Sequence, residues 1–508
     1  MRYNAGPLTP EPFDLASLAI ATADPARTLA SARAALALVL GLTALHLLVA
    51  GRFDLGVDEA HYALFGQWLD WSYFDHPPMV GWMQALAMAL FGNGELALRL
   101  WPITLGAAAG LLTYRLAREL FPEDSPWTAF LAVAVLESAL IFQLVSMAMV
   151  PEDPLLVFGL GGALCLFRAV RDDRLRDWLM VGLLFGLAGL SKYTAVVLVA
   201  TALLFLLAER GWRGLLRPGP WLAATVAFVL ILPVLWWNLR HDWISFAYQW
   251  GHGAPDRAWE LPRFLLSFAG QLLAYAPGIV IFGMAALWAA RRERAHPGVR
   301  FSLLLAMPPL LLFAWSGGLE ETLPHWTLLA WAGLAPLTAR WLHVRWSRRG
   351  VRWGAWGSLG YSTVLVLLVH TQLLVPWLPF PAHAHPLGDL YGWREAAVRG
   401  AELQADLGEG AGLFVGNWSL ASRVAWYSGR PVQVIDSRFD QFDLWYGTPQ
   451  AGAYGVLIVP ERYAERPRAS GVARFAHCEP LDATRWALGD TPVHTFHFFH
   501  CRGYREQA

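Results

Sequence analysis

Charge is scarce in this sequence. Only 15% of its 508 residues are Asp, Glu, Lys or Arg, against about 25% in an ordinary soluble domain. Acidic and basic residues balance at a formal net charge of zero. That balance removes the basic footprint a nucleic-acid partner requires. Lysine is almost missing: Lys192 stands alone among the arginines. Three cysteines, Cys165, Cys478 and Cys501, are too few for a disulfide framework. Cys165 lies within an apolar run and reads as packing, whereas Cys478 and Cys501 can pair if the final segment is extracytoplasmic. Residues 1–31 lack a basic start, an apolar centre and a small-residue cleavage site in that order. No signal peptide is expected, and the first span reads as an uncleaved anchor.

What is abundant is apolar. Hydrophobic residues make up 56% of the chain, in runs long enough to cross a bilayer at roughly 20 residues each. About eleven spans are expected, near 32–50, 96–116, 127–148, 154–170, 176–190, 192–208, 219–237, 264–289, 300–316, 324–341 and 354–376. The stretch 79–92 is apolar but short and reads as interfacial or re-entrant. Many of the 27 tryptophans, such as Trp101, Trp178 and Trp341, fall near run ends, where indole favours the headgroup level. Arginine fixes the orientation. Arg115 and Arg118, Arg171 and Arg174, Arg210 and Arg213, Arg291 and Arg292, and Arg348 and Arg349 all fall on one side under this count. That side is cytoplasmic. The predicted organisation is a cytoplasmic segment 1–31, a membrane domain 32–378 with an outer loop 51–95, and an extracytoplasmic domain 379–508. In the last, β-rich runs at Leu413–Val415, Val432–Ile435, Tyr454–Val459 and Thr495–Phe499 alternate with helical stretches such as Ser419–Tyr427. The fold class is therefore mainly α, a polytopic helix bundle with a small α/β domain.

The opposite face collects the chemistry. Its first loop carries Asp58-Glu59-Ala60-His61-Tyr62. Asp58 suits a helix N-cap, with the helix running toward Leu69 along an interfacial stripe of Tyr62, Phe65 and Leu69. Asp75-His76 stand before Pro77-Pro78, a rigid entry to the next apolar stretch. Glu152-Asp153 sit between prolines at another outer boundary. Lys192 lies at an outer hairpin, against the positive-inside trend, where a point charge could meet a phosphate. Arg240, His241 and His325 add positive or imidazole groups on the same face. Singly, each residue also suits a cap or an interfacial anchor; jointly, they suit a site. Glu137, deep in an apolar span, reads as a hydrogen-bonded contact between helices rather than a catalytic acid.

In order, the motifs DEAHY (58–62), YFDHPP (73–78), PEDP (151–154), GLSKY (189–193), WNLRHDW (237–243) and LPHW (323–326) resemble the membrane glycosyltransferases of the GT-C fold. The likeness is to bacterial members related to protein mannosyltransferases and the lipid A aminoarabinose transferase, over roughly residues 30–345. The resemblance implies a polyprenyl-phosphate-linked sugar donor in the bacterial plasma membrane, inversion at the anomeric carbon, and an outward-facing site. It implies Asp58 as general base with Glu59 as its neighbour. It implies Asp75 and His76 near the donor phosphate or a divalent metal, the one cofactor it allows. Lys192, with Arg240 and His241, would bind donor phosphate. Tyr62, Asp153 and His325 are the substrate-binding candidates. The expected acceptor is an extracytoplasmic lipid, glycan or protein.

A transporter or flippase of a lipid-linked glycan would handle the same amphipathic lipid. Such proteins favour repeated halves and polar sites at the midplane, whereas here no repeat is evident and the polar groups gather at one face. A non-catalytic assembly factor would need none of these groups. The arginine pattern is checked by reporter fusions. Alkaline phosphatase joined after Asp242 or Glu320 is expected to be active, and joined after Arg217 or Arg348 inactive.

Overall fold

The computed structural model describes residues 24–253, 257–375, 377–378, 380, 388–464, 471–488 and 491–505. The expected cytoplasmic segment lies, up to residue 23, outside the described residues, as does the boundary near 379. Proline or polar residues open many of the helices, which run in order α1 Pro25–Val49, α2 Val57–Gln67, α3 Met79–Phe91, α4 Glu95–Leu120, α5 Pro126–Glu137, α6 Leu140–Val145, α7 Glu152–Asp172, α8 Leu175–Ser191, α9 Val196–Arg210 and α10 Pro218–Arg240. Then come α11 Ile244–Gly253, α12 Leu261–Ala274, α13 Pro277–Ala290, α14 Pro297–Leu319, α15 Leu328–Val344 and α16 Arg349–Leu374. Among the described residues seven helices are long and apolar enough to cross a bilayer, and α12 with α13 makes an eighth if the bent pair is one span. The other predicted runs coincide with shorter helices or helix pairs. The chain is a multi-pass membrane protein.

Two predicted spans are interrupted. The run 264–289, expected to be continuous, bends by 107° between α12 and α13. Pro277 has no N–H to donate and disfavours helix in the residue before it. Ala276, at the bend, is not helical and takes φ 66°. The run 127–148 breaks between α5 and α6, and Glu137 sits at the break. Gln143 Nε2 donates to the Glu137 carbonyl at 2.6 Å and to its Oε2 at 3.0 Å, while His46 Nε2 lies 3.0 Å from Gln143 Oε1. Backbone groups freed inside a bilayer need such partners.

The C-terminal region holds α17 Trp393–Asp406, α18 Trp418–Ser428, α19 Gln441–Tyr446, α20 Glu461–Ala464 and five strands: β1 Gly412–Val415, β2 Gln433–Val434, β3 Tyr454–Pro460, β4 Phe475–Leu488 and β5 Thr491–Tyr504. The sheet order is β2-β1-β3-β5-β4. β1 pairs in parallel with β2 and β3, and the β4–β5 hairpin closes it antiparallel. A disulfide joins Cys478 to Cys501, which face each other across that hairpin. Strand β4 has no counterpart in the sequence reading. It lies at the sheet edge with several exposed positions, so it carries no apolar run to mark it.

The loop expected to be the first outer one, after α1, departs most from expectation. Gly56, not Asp58, caps α2, and the Glu59 carboxylate accepts the Gly56 N–H at 2.8 Å. The helix ends at Gln67, and every residue from Glu59 to Gly66 is buried. An interfacial helix would leave one face open; here α18 packs over α2 from the C-terminal domain, and α3 packs on it too. Arg99 of α4, fully buried, pins the start of this loop. Its Nε and Nη2 reach the two Glu59 oxygens at 2.7 and 2.8 Å. Its remaining donors reach the carbonyls of Ala50, Phe53 and Asp54 at 2.6, 3.0 and 3.0 Å. Arg99→Met strands Glu59 as a buried unpaired charge, so thermal unfolding in detergent is expected to show a loss of about 3–5 kcal/mol. The double variant Arg99→Met/Glu59→Leu should recover much of it.

Candidate active site

With Glu59 turned to Arg99, Asp58 lies one residue away around α2 and faces a different set of groups. The electrostatic neighbours of Asp58 are His325, His61, Glu152 and Asp75. They come from four places: the turn before α15, α2 itself, the start of α7 and the loop before α3. Burial pushes the Asp58 carboxyl above its ordinary range, His325 and His61 pull it back, and Glu152 and Asp75 push it further up.

The loop carrying Asp75 and His76 is held from several sides. The Tyr73 ring stacks on Phe65 with centroids 3.6 Å apart, and its hydroxyl lies 2.8 Å from the Phe65 carbonyl. From α11, Ser245 Oγ donates to the Tyr73 carbonyl at 2.8 Å and Gln249 Nε2 to the Asp75 carbonyl at 2.6 Å. From α19, Gln441 Oε1 accepts the Phe74 N–H at 2.7 Å. So placed, Asp75 Oδ2 lies 3.7 Å from His61 Nε2. Burial pushes the Asp75 carboxyl up, but His76 and His61 beside it outweigh burial and hold it down at about 2. Burial pushes the His76 imidazole down to about 4 against the pull of Asp75. The Tyr62 ring packs 5.6 Å from that of His76.

Lys192, at the end of α8, is 8% exposed and forms an ion pair with Glu152. His325 Nε2 approaches the same Glu152 oxygen at 3.6 Å, and the Lys192 ammonium lies 5.6 Å from the Trp326 ring centroid. One lysine and three histidines thus face three carboxylates in a largely buried space. Such a space strengthens every charge interaction within it. A group that develops charge during a reaction meets partners already oriented.

Four expected residues stand elsewhere. Glu59, expected as the catalytic neighbour of Asp58, has both oxygens engaged by Arg99. Asp153 Oδ2 accepts its own Val150 N–H at 2.9 Å and so closes the turn entering α7. Arg240 is exposed, its guanidinium 5.1 Å from the Trp236 ring centroid. His241 stacks on Trp237 at 3.8 Å with Nδ1 2.8 Å from the Trp237 carbonyl. Residues next to each other on a helix point about 100° apart, which is why the neighbouring acids in two motifs part company. The sequence quotes His61 and Glu152 inside motifs without singling them out. It gives no signal for Ser422, whose Oγ lies 3.2 Å from His61 Nδ1, or for the aromatic wall of Trp418, Phe442 and Trp445 around that ring.

Asp75 Oδ1 and His76 Nδ1 are buried without hydrogen-bond partners. Among the described residues no group of three or more His, Cys, Asp or Glu side chains could hold a metal ion.

Comparison with known proteins agrees with this architecture. Residues 75–237 match the family described as dolichyl-phosphate-mannose-protein mannosyltransferase. A lipid A galacturonosyltransferase, RgtD, of Rhizobium johnstonii is 30% identical over 335 residues, covering 63% of this chain and 67% of that protein. The undecaprenyl phosphate-alpha-4-amino-4-deoxy-L-arabinose arabinosyl transferase of Edwardsiella ictaluri is 27% identical, covering 66% and 64%. The chain thus spans about two thirds of these curated relatives. The structure of ArnT from Cupriavidus metallidurans bound to undecaprenyl phosphate shares the fold, with a TM-score of 0.60 at 16% identity over 91% of this chain and 97% of that one. This chain belongs to the GT-C family of membrane glycosyltransferases related to the protein mannosyltransferases and the lipid A aminoarabinose transferases.

Proposed function

We propose that this glycosyltransferase moves a sugar from a polyprenyl-phosphate-linked donor to a hydroxyl-bearing acceptor on the outer face of the bacterial plasma membrane, with Asp58 as base. The observation that carries the reading is the gathering of Asp58, Asp75, His76, Glu152, Lys192 and His325 from distant motifs into one electrostatically linked cluster. The relatives support the donor class, since one is named for an undecaprenyl-phosphate sugar and another structure holds undecaprenyl phosphate. The RgtD name favours an envelope glycolipid such as lipid A as acceptor class.

The donor is anchored in the bilayer by its lipid, which brings the sugar phosphate to the membrane surface. The acceptor oxygen attacks the anomeric carbon as the bond from that carbon to the phosphate oxygen breaks on the opposite face, so configuration inverts. The acceptor proton passes to Asp58. Negative charge builds on the departing phosphate, which becomes a second anionic partner of the Lys192 ammonium after Glu152. His76 and His325 offer imidazole N–H groups around the same centre. Tyr62 provides a ring against which the sugar can rest.

Purified protein given a polyprenyl-phosphate sugar and acceptor should release polyprenyl phosphate; lipid movement in vesicles without that release would overturn the reading. Asp58→Asn, folded by its melting curve, is expected to lose about 10²–10⁴-fold in kcat. Only ionised Asp58 can take the proton, and burial raises its pKa. In the parent enzyme kcat/KM therefore falls as pH drops, with a midpoint above the ordinary aspartate value of about 4. Lys192→Met removes one charge-assisted contact and should raise the donor KM by about 10- to 100-fold.

A further inference from the structure

Ser422 belongs to α18 of the C-terminal domain, 361 residues from His61 in sequence, yet the two side chains meet in the buried seam between that domain and α2. The hydroxyl has one proton. Ser422 Oγ lies 2.9 Å from the Trp418 carbonyl oxygen, which can only accept, so the proton lies between those two oxygens. Toward His61 Nδ1, at 3.2 Å, the hydroxyl is then left as an acceptor, and Nδ1 carries the hydrogen. The imidazole is thereby fixed in rotation. Its Nε2 faces Asp75 Oδ2 at 3.7 Å, an ion-pair separation in which the imidazolium, with a hydrogen on each nitrogen, is the form that holds the carboxylate, and Trp418, Phe442 and Trp445 pack around the ring. His61 is 2% exposed and Ser422 0%.

The far end of this chain is open. Asp75 has one oxygen turned to His61 and the other, Oδ1, buried without a hydrogen-bond partner. A buried carboxylate oxygen without a donor is costly unless a ligand supplies one. Asp75 lies within the electrostatic neighbourhood of Asp58, where the sugar would sit.

We infer that Ser422 is a positioning residue: acting through His61, it holds Asp75 so that Oδ1 receives a hydroxyl of the transferred sugar. The extracytoplasmic domain is thus a working part of the transferase centre. The inference rests on the transferase reading with Asp58 as base. It adds a ligand class for Asp75, a neutral O–H donor, and a function for the C-terminal domain that the motifs in the membrane domain do not contain.

The test compares Ser422→Ala, Ser422→Thr, Asp75→Asn and the double variant Ser422→Ala/Asp75→Asn in the full-length protein, each accepted only with a parental melting curve. Ser422→Ala should lower kcat by about tenfold, the scale of one hydrogen bond in a buried network, while the KM for the lipid donor stays within about twofold. Threonine keeps the hydroxyl and should restore kcat. In the Asp75→Asn background the serine change should cost nothing more, since both act on one hydroxyl contact. Parental kcat in Ser422→Ala overturns the inference. So does a loss that threonine does not repair, or one that adds in full to that of Asp75→Asn. Asp58→Asn, assayed alongside, separates the two claims. If it retains full activity the base assignment falls; if it is inactive while Ser422→Ala is parental, only the positioning role falls.

Discussion

The buried ion pair of Arg99 and Glu59 is the constraint on which the candidate site depends. A guanidinium has five N–H donors in a fixed fork, and here each has an oxygen to meet: two on Glu59 and three on the backbone from Ala50 to Asp54. The chain leaves α1, is caught by Arg99, and can enter α2 only in one direction. A buried arginine without these acceptors would be strongly unfavourable, so the loop and the helix start are specified together. Asp58, the neighbour of Glu59, is aimed by the same contact although it takes no part in it.

From there the electrostatics follow from burial. Carboxylates at Asp58, Asp75 and Glu152 persist in a largely closed space because Lys192, His61, His76 and His325 stand among them. The arrangement is balanced closely enough that neighbouring acids differ in character. Asp58 is raised by burial, while Asp75 is lowered by two adjacent imidazoles. One carboxylate suited to accept a proton and one suited to stay ionised is the division of labour that paired acids achieve by environment.

The C-terminal domain closes the site from above. Tyr427 accepts the Leu55 N–H at 2.7 Å, Asp54 Oδ2 accepts the Trp393 N–H at 3.0 Å, and Arg394 pairs with Glu95, so the domain grips both ends of the outer loop. Gln441 and Ser422 reach past that grip to Phe74 and His61. A domain that read in sequence as a separate small α/β unit supplies the aromatic wall around His61.

The sequence by itself determined the class, most of the spans and the motifs that gather at the candidate site. Apolar run length marks a helix that must bury its backbone bonds, and arginine placement answers to the membrane rather than to any fold. The lone Lys192 and the Asp-His-Pro-Pro loop stood out because such residues are costly near a bilayer without a reason. What only the tertiary structure decided was which member of each acidic pair faces the buried cluster. Asp58 and Glu59, or Glu152 and Asp153, are equivalent in composition, but successive helical residues point about 100° apart. The partner that claims one and leaves the other (Arg99 for Glu59, the Val150 N–H for Asp153) is either distant in sequence or fixed by a turn. Ser422 was invisible for the same reason. A single serine hydroxyl has no pattern of its own, and its meaning comes from the imidazole that folding brings within 3.2 Å.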